Sequence, residues 1–531
     1  MERSDSGLSR AELLKRAGVF CGVALAGPGA LAACDLGSDS DETQPGGTPA
    51  SGIPRRGGTL RVGFIGGGAA ETLDPNAAVS IIDSARATNL FDPLVTLNPD
   101  LSLSYQLAES MEPNSRADEW LITLRSGVTW HDGSPLTPED VIFTFKRIDD
   151  PKGGLSGKEA TRFIDFARLR KDGPRRLRVP LVRANAEFPS FFTIPYWRIV
   201  KAGSTNFDKP VGTGPFKVTS FKAGQQSRFA RYGDYWQDDK PYVDQLVMLS
   251  IPDQTARLNA LLGGQIDAME SLSFTQARAE KEGSRVQVLE AQGSNIVPIY
   301  MAVDTRPFDD PRVREAMRLL ADRKALLDAA QLGLGEIGND VYGKGLPFYN
   351  DSLEQREADP ERARSLLKTA GQEDLRVTLH SSTAAAGMLE SAQAFAEQAK
   401  AAGVSVSVKN EPADQYFGDL YLTQSFAQSL WFTEPIVGNL SKALVKGAPF
   451  NETRWNSARF QQTYDQLLAE LDEERRGTLY DDLQQQLWND GGYLIWGFFP
   501  LLDGLSKEVQ GVVANPAQPL GNYDFKSYWL E

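Results

Sequence analysis

Two cysteines and two histidines in 531 residues leave little scope for thiol or imidazole chemistry. A zinc site needs three or four His, Cys or carboxylate ligands, and neither His131 nor His380 has another at metal-binding spacing. No metal site and no cofactor is therefore expected. Cys21 and Cys34 both fall within the first 34 residues, so the rest of the chain has no disulfide and depends on its hydrophobic cores. There is no G-x-S-x-G elbow and no G-x-x-x-x-G-K-S/T phosphate loop. Positive charge is also in deficit: 56 Lys and Arg against 70 Asp and Glu give a net charge of -14. Such a surface is a poor partner for nucleic acid or anionic lipid headgroups. A carboxylate-only hydrolase stays open, because acidic residues are plentiful, but the remaining pattern favours binding over turnover.

The composition, 41% hydrophobic and 24% charged, is that of a globular protein. Its length suggests two to four domain-sized units. The N-terminus reads differently from the rest. Arg3, Arg10, Lys15 and Arg16 stand among Glu2, Asp5 and Glu12, and Ala17 to Ala33 then carries no charge. That is the order of a secretory signal, and about 17 small-rich residues is at or below what spans a bilayer. The run ends in Leu31-Ala32-Ala33-Cys34, which resembles the bacterial lipobox, so residues 1–33 are expected to be removed and Cys34 to become a lipidated N-terminus. Ser9 to Lys15 resembles a twin-arginine signal with Ala11 in place of the second arginine, and both that route and Sec stay open. Without the signal's charge of +1 the body carries about -15. Residues 35–56, rich in Ser, Asp, Gly, Pro and Thr, read as a flexible tether with a reach of about 25 Å.

From Gly58 the patterning is that of a folded α/β body. Gly58 to Ile65 alternates as a strand, and the Gly66–Gly68 cluster after it does not complete a dinucleotide fingerprint, since Glu71 stands where the third glycine belongs. Trp120 to Arg125 and Val128 to His131 read as the arms of a hairpin. His131-Asp132 is expected to serve turn geometry, not catalysis. Thr137 caps a helix with Pro138 at its first position. Tyr242 to Ile251 reads as a strand, and Gln254 to Leu262 as a helix. Asp310-Pro311 and Asp359-Pro360 each open a helix. Leu375 to Leu379, Glu390 to Ala402 and Val404 to Val408 form a strand, helix, strand unit. Gln461 to Leu471 and Leu479 to Trp488 read as helices, and Tyr493 to Phe499 as a buried strand.

These segments, in this order, resemble the family 5 extracytoplasmic solute-binding proteins, which include the oligopeptide- and dipeptide-binding components of ABC importers. The resemblance rests on GGTLRVG with TLDP, NLFDPLVTLNPD, WLITLRSGVTWHDGSPLTPEDVIFTFKRI, VGTGPFKV with RYGDYW, IPDQTARLNALLGGQIDAME, PFDDPRVREAMRLLADRKAL and DPERARSLLKTAG. They run over nearly all of residues 57–530. The hairpin-to-helix block around HDG-x-PLTPEDV is the most specific. The resemblance implies a periplasmic-binding-protein-like type II fold: two lobes and three domains, with mixed sheets flanked by helices. Domain I would comprise residues 57–83, 208–304 and 500–531, domain II 84–207 and domain III 305–499. Hinges would lie near Ala302 to Asp304 and Phe499 to Leu501.

In the peptide-binding members, as the resemblance implies, a tryptophan is followed three residues later by an aspartate that meets the peptide's ammonium. The backbone on either side of the tryptophan takes the ligand as an added strand. The matching stretch here is Leu430-Trp431-Phe432-Thr433-Glu434, with glutamate in place of aspartate. Val79 to Ile81 falls where relatives use an extended strand against ligand, and a structural strand would read the same. Glu434 as a surface carboxylate and Trp431 as a core aromatic are the plainer alternatives. The expected partners are a peptide or another small solute, together with permease and ATPase subunits. The membrane would be reached through the lipid only, and the protein would be a monomer without nucleic acid. An opine, oligosaccharide or chelated metal is the alternative solute, and a hydrolase or an adhesin-like receptor the alternative class.

Overall fold

The computed structural model describes residues 52–531 apart from Val79, Gly154, Ser156, Asp414 and the side chain of Asp419. The signal segment, Cys21, Cys34 and most of the tether lie outside the described residues. Among the described residues, no helix is long and apolar enough to cross a membrane.

Thr59–Phe64 alternates as its sequence suggests, with Leu60, Val62 and Phe64 fully buried. It lies in the middle of an eight-stranded sheet, parallel to Gln245–Ser250 and Ala268–Met269. Gln226–Arg231 and Phe216–Lys222 extend that sheet on one side, Gly497–Leu505 and Gln287–Asn295 on the other, all antiparallel to their neighbours. The glycines of Val211 to Phe216 are there for close packing. A Cβ on Gly212 would stand 1.7 Å from the Leu90 carbonyl oxygen. The Gly66–Gly68 turn belongs to a buried ion network, in which Glu71 accepts from the Gly67 N–H at 2.9 Å and pairs with Arg86 at 2.8 Å.

A second, four-stranded sheet holds Ala108–Pro113, Glu119–Leu124, Arg176–Pro180 and Arg170–Lys171. The hairpin expected between Trp120–Arg125 and Val128–His131 does not form. Glu119–Leu124 pairs with Ala108–Pro113 and Arg176–Pro180, and Val128 to Leu136 makes a tight turn closed by the Thr129–Pro135 bridge. Trp120, Ile122 and Leu124 point into the core and need strand partners along their whole length, which a turn of nine residues cannot supply. His131 staples this turn to the next loop. Its Nδ1 accepts from the Gly212 N–H at 3.2 Å, and its Nε2 lies 2.9 Å from the Gly214 carbonyl, as a neutral imidazole protonated on Nε2 requires. Burial lowers its pKa to about 4.

The third sheet has five strands in the order Ser405–Glu411, Arg376–Ser382, Phe426–Gln428, Ile299–Met301, Tyr493–Leu494. Arg376–Ser382 and Ser405–Glu411 are parallel and joined through helix Met388–Ala399, the expected strand, helix, strand unit. The Asp-Pro signals hold as well: Asp310 and Asp359 cap helices Pro311–Leu319 and Pro360–Thr369. These helices and this sheet share one core containing Leu326, Phe395, Tyr416 and Trp496.

Two of the passages between the eight- and five-stranded sheets run side by side. The chain leaves Gln287–Asn295 and enters Ile299–Met301 through residues 296–298. It returns from Tyr493–Leu494 to Gly497–Leu505 through Ile495 and Trp496. The strand read as Tyr493 to Phe499 is thus two strands in two sheets. Ile296, Val297, Ile495 and Trp496 are all buried, and the Trp496 indole N–H donates to the Val297 carbonyl at 2.8 Å, tying the two crossings together.

Candidate functional site

Trp431 sits beside the first of these crossings. It exchanges both backbone hydrogen bonds with Ile296, at 2.9 and 3.0 Å, so residues 426–431 form one continuous antiparallel edge against residues 296–301. Successive residues of a strand direct their N–H and C=O groups to opposite sides. Ser429 and Trp431 therefore face the partner strand, and Gln428, Leu430 and Phe432 face away from it. Strand Arg376–Ser382 covers that outer side at Ala427 only. The Tyr416 hydroxyl takes over at Gln428, accepting from its N–H at 3.1 Å and donating to its carbonyl at 2.8 Å. Beyond that point cover stops. Among the described residues, the backbone N–H and C=O of Leu430 and Phe432 have no hydrogen-bond partner. Two residues of open strand edge result, with the Phe432 side chain 54% exposed.

Trp431 itself points inward, and the reading of it as a core aromatic holds for its ring. Its indole N–H donates to Glu452 Oε1 at 3.0 Å, and its ring meets Tyr342 edge-on. Glu452 is fully buried, its other oxygen has no partner, and burial pushes its pKa up to about 7. The hydroxyls of Tyr342 and Tyr493 close the same polar pocket and also lack partners.

Glu434 is not a surface carboxylate. It is 9% exposed, and its Oε2 accepts from the Lys442 ammonium at 2.6 Å. Lys442 comes from helix Ile436–Ala443, which follows Pro435 and is otherwise apolar or small and polar. Burial pushes the Glu434 carboxyl up and Lys442 opposes that push. Burial also works against the Lys442 charge, but Glu434 and Glu159 together outweigh it and raise the lysine above its usual value. Glu159 belongs to the short helix Lys158–Thr161 and accepts from the Tyr196 hydroxyl at 2.9 Å. Two carboxylates thus act on one lysine, and Glu159 also acts on Arg162, three residues along.

Ile81 departs from expectation. It opens helix Ile81–Leu90 and is not part of an extended strand, because Ser80 caps that helix through the Asp83 N–H. Its side chain is 38% exposed. Val79 lies outside the described residues. Glu452, Lys442, Glu159 and Tyr196 escaped the sequence reading. The one charge in the otherwise uncharged Ile436–Ala443 helix was the available signal for Lys442.

Segments 183–190 and 465–476 meet close to this cluster. The Ala186 N–H donates to the Leu468 carbonyl at 2.6 Å, Arg183 pairs with Asp465 at 3.2 Å, and Arg476 pairs with Glu187 at 3.0 Å in a largely buried contact.

Comparison with known proteins gives a consistent picture. Residues 102–436 match the family described as bacterial extracellular solute-binding proteins, family 5 middle. The heme-binding protein A of Haemophilus influenzae is 26% identical over 464 residues, covering 77% of this chain and 81% of its own. The dipeptide-binding protein of Escherichia coli is 24% identical over 463 residues, covering 80% and 86%. The solved structure of the ABC transporter substrate-binding protein CtaP of Listeria monocytogenes superposes with a TM-score of 0.79 at 21% identity, covering 90% of this chain and all of that one. The type II binding-protein architecture expected from the sequence is the architecture found.

Proposed function

Since the chain belongs to the family 5 bacterial extracellular solute-binding proteins, we propose that its solute is a short peptide, delivered to the permease of an ABC importer. The observation that carries this is the unpaired backbone of Leu430 and Phe432 in the stretch that leads to Glu434, whose carboxylate and that of Glu159 share Lys442. A peptide is the ligand that answers both features. Its backbone adds a strand to the open edge, and its ammonium meets Glu434 and Glu159. Phe432 supplies apolar contact. The E. coli relative that binds dipeptides supports the same choice.

Domain I as residues 57–83, 208–304 and 500–531, domain II as 84–207 and domain III as 305–499 remain our division of the body. Two short strands depart from it: Ile299–Met301 belongs to the five-stranded sheet, and Glu336–Ile337 pairs with the eight-stranded one. We place the hinge at residues 296–298 and 495–496, a few residues before the positions read from sequence, because the chain changes sheets there. The contacts of 183–190 with 465–476 then hold the lobes shut. Retention at the membrane through a lipid on Cys34, a monomeric state and the absence of turnover complete the proposal.

Titration calorimetry with a pool of di- to pentapeptides should give heat. Silence there, with heat from an opine, oligosaccharide or chelated metal, would end the peptide reading. Cleavage of a peptide, abolished by Glu434→Gln, would instead make the protein a hydrolase.

A further inference from the structure

A cavity of about 360 Å³ lies elsewhere, between residues 88–106, 198, 237–240 and 511–528, sharing no residue with the Leu430–Glu434 site. Arg198 forms part of its wall. This guanidinium is 2% exposed, its Nη2 donates to the Thr88 hydroxyl at 2.8 Å, and its Nε has no partner. Among the described residues, no carboxylate stands within ion-pairing distance of it. Asp92, the nearby acid, is held by the Tyr235 hydroxyl at 3.0 Å and the Trp236 indole N–H at 3.1 Å. Lys240 is the second lining cation without a carboxylate, its ammonium donating to the Ser527 hydroxyl at 2.6 Å. Lys526 is matched by Asp524. Three cations against two carboxylates leave the cavity one positive charge in excess, inside a protein whose net charge is -14.

The rest of the wall is unusually rich in amides and hydroxyls. The side-chain amides of Gln237, Asn522 and Asn98 each donate, to Gln106, Thr96 and Ser102, and their carbonyl oxygens accept no hydrogen bond among the described residues. A wall with one cation in excess, amide oxygens and hydroxyls suits a ligand with one anionic group and several hydroxyls. A buried guanidinium nitrogen without a partner is costly, so an anion beside Arg198 would lower that cost.

We propose that this cavity is a second binding site, for a small polyhydroxylated anion of the sugar-acid or sugar-phosphate class. The proposal is independent of the peptide reading, since it uses none of the residues at the Trp431 edge. It is tested by titrating the purified full chain with gluconate, glucose 6-phosphate, inorganic phosphate and glucose. At least one of the two hydroxylated anions should bind, about tenfold or more tighter than glucose or phosphate. Lys240→Met, a change at a partly exposed position, should weaken that binding about tenfold, and Arg198→Gln should weaken it at least as much. Saturating peptide should leave it unchanged. Absence of binding by both hydroxylated anions overturns the proposal. So does equal affinity for glucose, equal affinity for inorganic phosphate, or undiminished binding by a folded Lys240→Met protein.

Discussion

Replacing Glu452 by glutamine should stabilise the protein at alkaline pH and do little at acid pH. The carboxyl is fully buried behind Trp431, and burial raises its pKa from 4.5 in the unfolded chain to about 7 in the fold. A carboxyl whose folded pKa is raised favours the native state while it is protonated. That contribution is complete below 4.5, shrinks as pH rises, and is gone above 7. The interval corresponds to about 3 kcal/mol. Glutamine keeps the acceptor for the Ser429 hydroxyl and the Trp431 indole, adds N–H donors where the second oxygen has no partner, and does not titrate. Urea denaturation of both proteins at pH 4.5 and pH 8 is the assay. The stability of the variant relative to the parent should rise by about 3 kcal/mol between the two conditions. Glu270 and Asp503, also buried and raised to about 7 and about 6, titrate in the same range but are common to both proteins, so the difference isolates Glu452. A difference that stays constant with pH would refute the reasoning.

Other consequences concern the site and its closure. Lys442→Met leaves Glu434 buried without its cation and should cost about 3 to 5 kcal/mol of stability, most of it recovered by adding Glu434→Gln; chemical denaturation of the single and double variants measures both. N-methylation of the peptide amide that pairs with the Leu430 or Phe432 carbonyl should weaken binding by about 1 kcal/mol or more, read by calorimetry against the unmethylated peptide. Arg476→Ala removes the cation from the buried Glu187 contact, so small-angle scattering should show a larger open fraction without ligand, and apparent peptide affinity should fall in proportion to the closed population lost. Cys34→Ser should move the protein from the membrane fraction to the soluble exported fraction, with the loss of lipid mass checked by mass spectrometry of the mature N-terminus.

Features written in adjacent residues were legible in the sequence. Asp310-Pro311 and Asp359-Pro360 carry a cap and a fixed φ within two positions, and both start helices where that chemistry predicts. The alternation of Thr59–Phe64 and the unit from Arg376 to Glu411 likewise need only local pattern. Reading failed where the deciding partner is distant. Glu119–Leu124 takes Arg176–Pro180 as its neighbour, more than fifty residues on, and the nearer Val128–His131 segment only looks like its mate. The strand expected around Ile81 yields to a helix capped by Ser80.

The site divides along the same line. Trp431 and Glu434 were pointed out by the family resemblance, but what each does depends on groups that a resemblance of one segment cannot reveal. Glu434 looked from the sequence like a lone receptor for an ammonium, and the fold gives it Lys442 as a resident cation. Taken alone, that pair would leave nothing for a ligand to neutralise. Glu159 changes the count, because it acts on the same lysine from the segment of residues 84–207, while Glu434 and Lys442 come from residues 305–499. The joint action of the two carboxylates on Lys442 therefore arises only where these two segments approach each other. A cationic ligand terminus placed there is attracted by both, so its binding favours the approach itself. Recognition of the ammonium and closure on it are then one electrostatic event.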